Sequence, residues 1–360
     1  MTRRTTLMPD WISPPGETIE DLLDERGWSK KDFSERIGLS PKHVNELIHG
    51  RAAISAAVAE KLSIVLGSTA EFWLSREAQY QAALEHCSVR ESAAEASDWL
   101  RELPIRCMKK FGWIRGCSDK GEQVLECLSY FGVASVDLWR QRYQNPLTAF
   151  RASGRFEKKC GSVAAWLRQG ELAATEVDCA AFDRAGFRSV LGDLRSLSNE
   201  PKSEVFTHTV RETCAQHGVA VVFVPAPQGC PASGATRWLT SSKAMLLLSL
   251  RHKSNDHLWF SFFHEAAHIL LHGKKMFFID GLDGLNEEAE EEANHFASNL
   301  LIPSVHTSRL ARVKRSKRAV IDFAAEIGVA PGVVVGRLQK EGLIPYSYMN
   351  DLKVRYCWAE

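Results

Sequence analysis

Residues 264–268 read His-Glu-Ala-Ala-His inside the apolar run from Phe262 to Leu271. The stretch Asp256–Leu271 carries a helical pattern, and on a helix residues four apart share a face. His264 and His268 therefore project together and can hold one metal ion through their imidazole nitrogens. Glu265 lies beside that face, within reach of a water on the ion. Zinc lowers the pKa of such a water from 15.7 to about 7, which makes a nucleophile at neutral pH. Glu265 would take its proton during attack on a carbonyl and pass it to the leaving amine.

A catalytic zinc needs a third protein ligand and an open position. The acidic run Glu287-Glu288-Ala289-Glu290-Glu291-Glu292 opens a second expected helix, Asn286–Leu301, stopped by Pro303. Glu290, Asn294 and Ala297 share one face of it, and the small Ala297 permits close approach of another helix. This spacing points to Glu290 as third ligand and to Asn294 as the partner that orients a ligating histidine. Glu291 and Glu292 then point elsewhere. His272 continues the four-residue series and is open to two readings, a competing ligand or a loop-end histidine beside Gly273; the second is preferred.

With 360 residues the chain is long enough for two or three domains. Its net charge of +1 points by itself to neither nucleic acid nor membrane, so any binding surface must come from local clustering. Nine Cys, an odd number without Cys-x-x-Cys spacing, argue against a disulfide framework and suit a reducing compartment. Met1 to Trp11 has no apolar stretch of the kind a signal peptide needs. The longest apolar runs, such as Val219–Val224 and Met245–Leu248, are too short to span a bilayer. The expectation is a cytoplasmic protein with no membrane contact.

Four regions separate by pattern. Residues 1–86 carry closely spaced helix signals, among them the stops Gly27, Gly38 and Gly50 and the N-cap Ser29 with Asp32 three positions on. Residues 87–209 read mostly as helix, with breaks at Gly132, Pro146, Gly161 and Gly192. In 210–310 the period changes: Gly218–Val224 and Ala244–Leu250 read as strands, separated by the turn-rich Pro227–Gly234. Ala244–Leu250 reads first as a core strand; pairing with an extended peptide stays open. Residues 311–360 hold two short helices, near Ala319–Glu326 and Pro331–Lys340. A basic cluster, Arg309, Arg312, Lys314, Arg315, Lys317 and Arg318, reads as a solvated linker that could also touch DNA or an acidic partner.

Residues 29–49 fit a helix, a turn at Gly38-Leu39-Ser40 and a second helix. In this reading Pro41–His49 enters the major groove, with Lys42, His43 and Asn45 toward base edges and Arg51 at a phosphate. Residues 1–86 carry 10 Lys/Arg against 13 Asp/Glu, so a monomer should hold DNA weakly and a dimer is expected. A protein-docking domain built on the same helices is the other reading.

Two resemblances follow from these residues. Residues 13–85, with Asn45-Glu46-Leu47-Ile48-x-Gly50-Arg51 and Leu66-Gly67-x-x-x-Glu71-Phe72-Trp73-Leu74, resemble the HigA/VapI-type branch of the lambda-repressor-like helix-turn-helix proteins. Residues 210–305 resemble the ImmA/IrrE metallo-endopeptidases, through Phe262-Phe263-His264-Glu265-Ala266-Ala267-His268 followed by Glu290-x-x-Ala293-Asn294-x-Phe296-Ala297-x-x-Leu300-Leu301-x-Pro303. The second resemblance implies zinc on His264, His268 and Glu290, a catalytic Glu265, and a substrate that is a DNA-binding regulator cut at one site. It names no oxyanion donor; His295, Tyr346 and Tyr348 are the candidates. The expected fold is α+β and mostly α: a five-helix helix-turn-helix domain, a helical middle region, a zincin-like peptidase domain with a small sheet, and a small helical C-terminal element. The expected function is a gluzincin-like zinc peptidase coupled to DNA binding, acting on a regulator or antitoxin-like partner. The alternative is a non-enzymatic, antitoxin-like repressor whose peptidase-like region senses metal or a partner.

Overall fold

The computed structural model describes residues 12–145, 154–273, 278–279, 287–313 and 315–358. Met1–Trp11, Pro146, Asn286 and Lys314, which figure in the readings above, lie outside the described residues. The chain divides into two compact units, one of residues 1–96 with 120–122, the other of 97–119 with 123–360.

The first unit is helical: α1 (Pro15–Arg26), α2 (Lys30–Ile37), α3 (Pro41–Ile48), α4 (Ala56–Leu66) and α5 (Ala70–Glu95). The local signals act as expected. Ser29 accepts from the Asp32 backbone N–H while the Asp32 carboxylate accepts from Ser29 N–H, a reciprocal capping box. Gly27 and Gly38 end α1 and α2 in the left-handed conformation that a side chain resists. Arg26 donates to the carbonyls of Val65 and Leu66, the open end of α4. Ile19, Leu23, Phe33, Ile37, Val44, Leu47, Leu62 and Trp73 form the core. α5 runs on as one helix to Glu95.

The second unit begins with α6 (Ile105–Lys110), α7 (Lys120–Phe131, whose first three residues group with the other unit) and α8 (Val136–Trp139). Three longer helices follow, α9 (Gly154–Thr175), α10 (Arg184–Leu194) and α11 (Ser203–Ala215). Gly161 does not break α9: its missing Cβ would stand 1.9 Å from the Glu102 carbonyl oxygen, so glycine permits close packing there. Gly192 likewise sits inside α10. Gly132 ends α7 at a positive φ.

Four strands form one sheet in the order β1 (Val219–Phe223), β3 (Ala244–Leu248), β2 (Gly234–Trp238), β4 (Phe278–Ile279). β1 runs parallel to β3, with Val221 opposite Leu246; β2 runs antiparallel to β3, and β4 antiparallel to β2. Ala244–Leu248 is buried throughout, as a central strand covered on both faces should be. Two of the strands, β2 and β4, depart from the sequence reading. β2 follows directly on the expected loop, and its Gly-Ala-Thr-Arg-Trp lacks an aliphatic alternation.

α12 (Asn255–Leu271) carries the His-Glu-Ala-Ala-His segment through the centre of this core. α13 (Glu287–Leu301) buries Ala289, Ala293, Ala297 and Leu301, a four-residue stripe small enough for close approach. α14 (Thr307–Arg312), α15 (Lys317–Ile327) and α16 (Pro331–Lys340) contribute Leu310, Val320, Phe323, Val334 and Leu338 to the same cluster as α12. Gly332 and Gly336 of α16 leave no room for a Cβ against Asn255 and Asp256. Lys353 then pairs with Asp256 at 2.6 Å, both nearly buried, and the Asn255 side-chain oxygen accepts from Val354 N–H. The C-terminal residues thus clamp the start of α12. The expected basic linker is largely helical, and in it Arg309 pairs with Glu326, Lys317 with Asp351 and Arg318 with Asp322. Among the described residues no single helix is long and apolar enough to cross a membrane.

Candidate metal centre and nucleic-acid interface

α12 is helical because its long, mostly unbranched and aromatic residues bury on every side, against the sheet, α13 and α16. Buried His264, Glu265 and His268 therefore sit among Phe263, Ala266 and Ala267, away from bulk water. His264 Nε2 and His268 Nε2 face each other at 3.0 Å. From α13, Glu290 brings Oε2 to 3.2 Å from His264 Nε2 and Oε1 to 3.5 Å from His268 Nε2. The three residues offer ligand atoms all within 4.8 Å of one another and could hold a metal ion. Glu290 is only part-buried, so one side of the group is open to approach.

The opposite edges of the two rings are also engaged. Asn294 Oδ1 lies 3.1 Å from His264 Nδ1, and His272 Nδ1 lies 2.9 Å from His268 Nδ1. Burial, with His264 and His272 close by, pushes the His268 imidazole down to about 2, so it is neutral at any physiological pH. A neutral ring that gives its Nδ1 proton outward carries a lone pair on Nε2. Lone pairs and a carboxylate then converge on one point. Such a convergence could hold a metal ion.

β2 supplies two residues that the sequence reading did not single out. Thr236 Oγ1 donates to Glu265 Oε2 at 2.5 Å and lies 3.2 Å from the Glu265 carbonyl oxygen. At Gly234 a Cβ would stand 2.6 Å from Glu265 Cγ. A glycine inside a strand marks such close approach, and Thr-Arg-Trp after it has strand propensity. That was the available signal. Beyond β2, Arg237 pairs with Glu171 of α9, which ties this strand to the helix behind it. Of the oxyanion candidates, Tyr348 donates its hydroxyl to the Arg315 carbonyl and the His295 ring is met by Asn299. Neither contact involves the His264–His268–Glu290 group, and Tyr346 is largely exposed.

In the first unit, α2 and α3 flank the turn at Gly38-Leu39-Ser40, with Ser40 capping α3 through His43 N–H. Val44, Leu47 and Ile48 bury, which leaves Lys42 and Asn45 exposed on the opposite face and His43 half-buried beside them. Lys42 stands 3.8 Å from Glu46, and the Asn45 carbonyl bonds the His49 ring. Arg51, just past Gly50, is exposed.

A helix-turn-helix unit joined to an α+β unit built round a His-Glu-Ala-Ala-His helix defines a regulator-like module carried with a metallopeptidase-type domain. The family described as IrrE N-terminal-like domain matches residues 214–339, and the family described as helix-turn-helix matches 19–73. The uncharacterized HTH-type transcriptional regulator YddM of Escherichia coli (strain K12) is 33% identical over 69 residues, 19% of this chain and 73% of that protein. The chain thus carries an IrrE N-terminal-like, metallopeptidase-type domain over residues 214–339 and a helix-turn-helix domain of the regulator type over residues 19–73.

Proposed function

We propose that the chain is a zinc endopeptidase tethered to a DNA-binding module, and that it cuts a transcriptional regulator or antitoxin-like partner at one site. The observation that carries this reading is the convergence of His264, His268 and Glu290. Bonds of about 2.05 Å in tetrahedral array separate ligand atoms by about 3.3 Å, and the separations here are 3.0, 3.2 and 3.5 Å. The donor set, two imidazoles and one carboxylate, suits zinc among the common divalent ions. His264, His268 and Glu290 would hold the ion, and Asn294 would fix the His264 ring through Nδ1. Bound zinc supplies Lewis acidity toward the scissile carbonyl and brings water's acidity toward neutral. Glu265, with Oε2 held by Thr236, takes a proton from the attacking water on its other oxygen and returns it to the leaving amine nitrogen.

In the first unit α3 would enter the major groove with Lys42, His43 and Asn45, and Arg51 would meet a phosphate. The likeness to a relative named as a transcriptional regulator supports this reading, and so does the exposed polar face of α3. The acidic surplus of the unit favours a dimer on DNA. Nine free cysteines favour a reducing compartment, the cytoplasm. Holding enzyme and substrate at one operator raises their mutual concentration, toward the millimolar range for short tethers.

The test compares wild type with Glu265→Gln in the original host, by metal content and by sequencing newly formed protein N-termini. The expected result is one zinc per chain in both proteins and a new N-terminus, within a DNA-binding protein, only with wild type. Equal zinc and identical N-termini would instead establish the non-enzymatic sensor reading.

A further inference from the structure

His272 is not one of the three converging residues, yet both of its ring nitrogens are engaged. It caps α12 in an extended conformation, φ −107 and ψ 161, which swings its ring back along the helix. Its Nδ1 stands 2.9 Å from His268 Nδ1 and its Nε2 stands 3.2 Å from Glu292 Oε2 on α13. We infer that Glu292 and His272 form an outer relay that sets the tautomer and orientation of the His268 ligand, as Asn294 does for His264. This rests on the proposed reading of the cluster as a metal centre.

The argument is a proton count. In this contact Glu292 accepts, so the His272 nitrogen facing it must carry hydrogen. With its ring proton on that nitrogen, His272 presents a lone pair at Nδ1, and the facing His268 Nδ1 is the donor. That leaves the His268 lone pair on Nε2, the atom that stands 3.0 Å from His264 Nε2 and 3.5 Å from Glu290 Oε1. One ring proton on each histidine then serves one of the two hydrogen bonds. The reverse arrangement would turn the His272 Nε2 lone pair toward the Glu292 carboxylate and the His268 proton into the cluster. Both contacts would be unfavourable, so the exposed carboxylate selects the ligating tautomer of a buried ring two contacts away. The relay also ties the C-terminal end of α12 to α13, beside the contacts that Glu290 and Asn294 of α13 make with the same histidines.

His272 and Glu292 are positioning residues here, and metal affinity reads their role without a peptide substrate. Zinc binding to the full chain is measured by competition with a chromophoric chelator, and the visible spectrum is recorded with cobalt in place of zinc. For His272→Leu, loss of the acceptor should weaken zinc about 10- to 100-fold and shift the cobalt bands, as removal of such partners does elsewhere. In His272→Asn the amide oxygen stands near the former Nδ1 position, and affinity should return to within about threefold of wild type. Glu292→Gln changes a side chain at the surface and should weaken zinc several-fold without altering the thermal unfolding of the metal-free protein. Wild-type affinity and spectrum in both His272→Leu and Glu292→Gln would overturn the relay. So would His272→Asn as weak as His272→Leu, since the ring would then be serving as packing alone. Wild type that binds no zinc would refute the metal centre, and the relay with it.

Discussion

Helix α3 of the first unit buries Val44, Leu47 and Ile48 and turns Lys42 and Asn45 outward; helix α12 of the second buries His264, Glu265 and His268 themselves. In the first case the candidate functional groups stand apart from the core that holds them. In the second they are part of the core. A change at the surface of α3 can therefore alter binding while leaving the fold alone, whereas almost any change around α12 acts on stability and chemistry together. The difference follows from what each site needs. Contacts to a duplex must be solvent-facing before the partner arrives, while a carboxylate and two imidazoles that act together gain from a dry, fixed setting.

The sharpest way to break this contrast is a substitution in the second unit that removes chemistry without stability. Glu265→Gln keeps the shape of the side chain, and peptide-bond cleavage should fall by about 10²- to 10⁴-fold with zinc content unchanged. Lys353→Met acts the other way. It strands the Asp256 carboxylate at the start of α12, and chemical denaturation should show a loss of about 3–5 kcal/mol. Thr236→Val lies between them: it deprives the Glu265 carboxylate of a donor, and should lower stability by about 1–3 kcal/mol together with turnover.

In the first unit Asn45→Ala should weaken binding to a duplex recovered by selection from a random pool, by about 1–3 kcal/mol. Its unfolding free energy should stay within about 0.5 kcal/mol of wild type; a larger change would erase the contrast. The smallest effect expected is that of Ser29→Ala, which removes a cap worth about 1 kcal/mol. The side-chain hydrogen bond from Ser29 holds the Asp32 carboxyl below its ordinary 3.8, with the backbone bond and nearby Arg36 and Lys31 assisting. A lowered folded-state value stabilises above 3.8 and is lost as pH falls through the folded value. Thermal unfolding in acid should therefore fall less steeply for the variant than for wild type.

Much of both units was legible along the chain. The stops at Gly27 and Gly38, the Ser29–Asp32 box and the four-residue spacing of His264 and His268 are local, and local rules predict them. Gly161, read as a helix break, was misread for a physical reason: it lacks a Cβ because the Glu102 carbonyl occupies its place, and that neighbour is not visible from the local pattern. The strand Gly234–Trp238 was hidden similarly, because its Gly and Thr answer to Glu265, about thirty residues on, rather than to a strand pattern.

The sequence by itself determined which groups would share a face: two histidines on α12 with a glutamate beside them, an acidic residue and an asparagine on α13, and a polar stripe on α3. Helix periodicity is a property of neighbours along the chain, and it needs no partner to be read. Only the tertiary structure decided what each face would meet. The alanine stripe of α13 lets Glu290 reach the two imidazoles, β2 brings Thr236 onto Glu265, and the turn out of α12 sets His272 between His268 and Glu292. Apart from His268 to His272, those contacts join residues twenty to thirty positions apart, and only packing chooses between the alternatives that spacing leaves open.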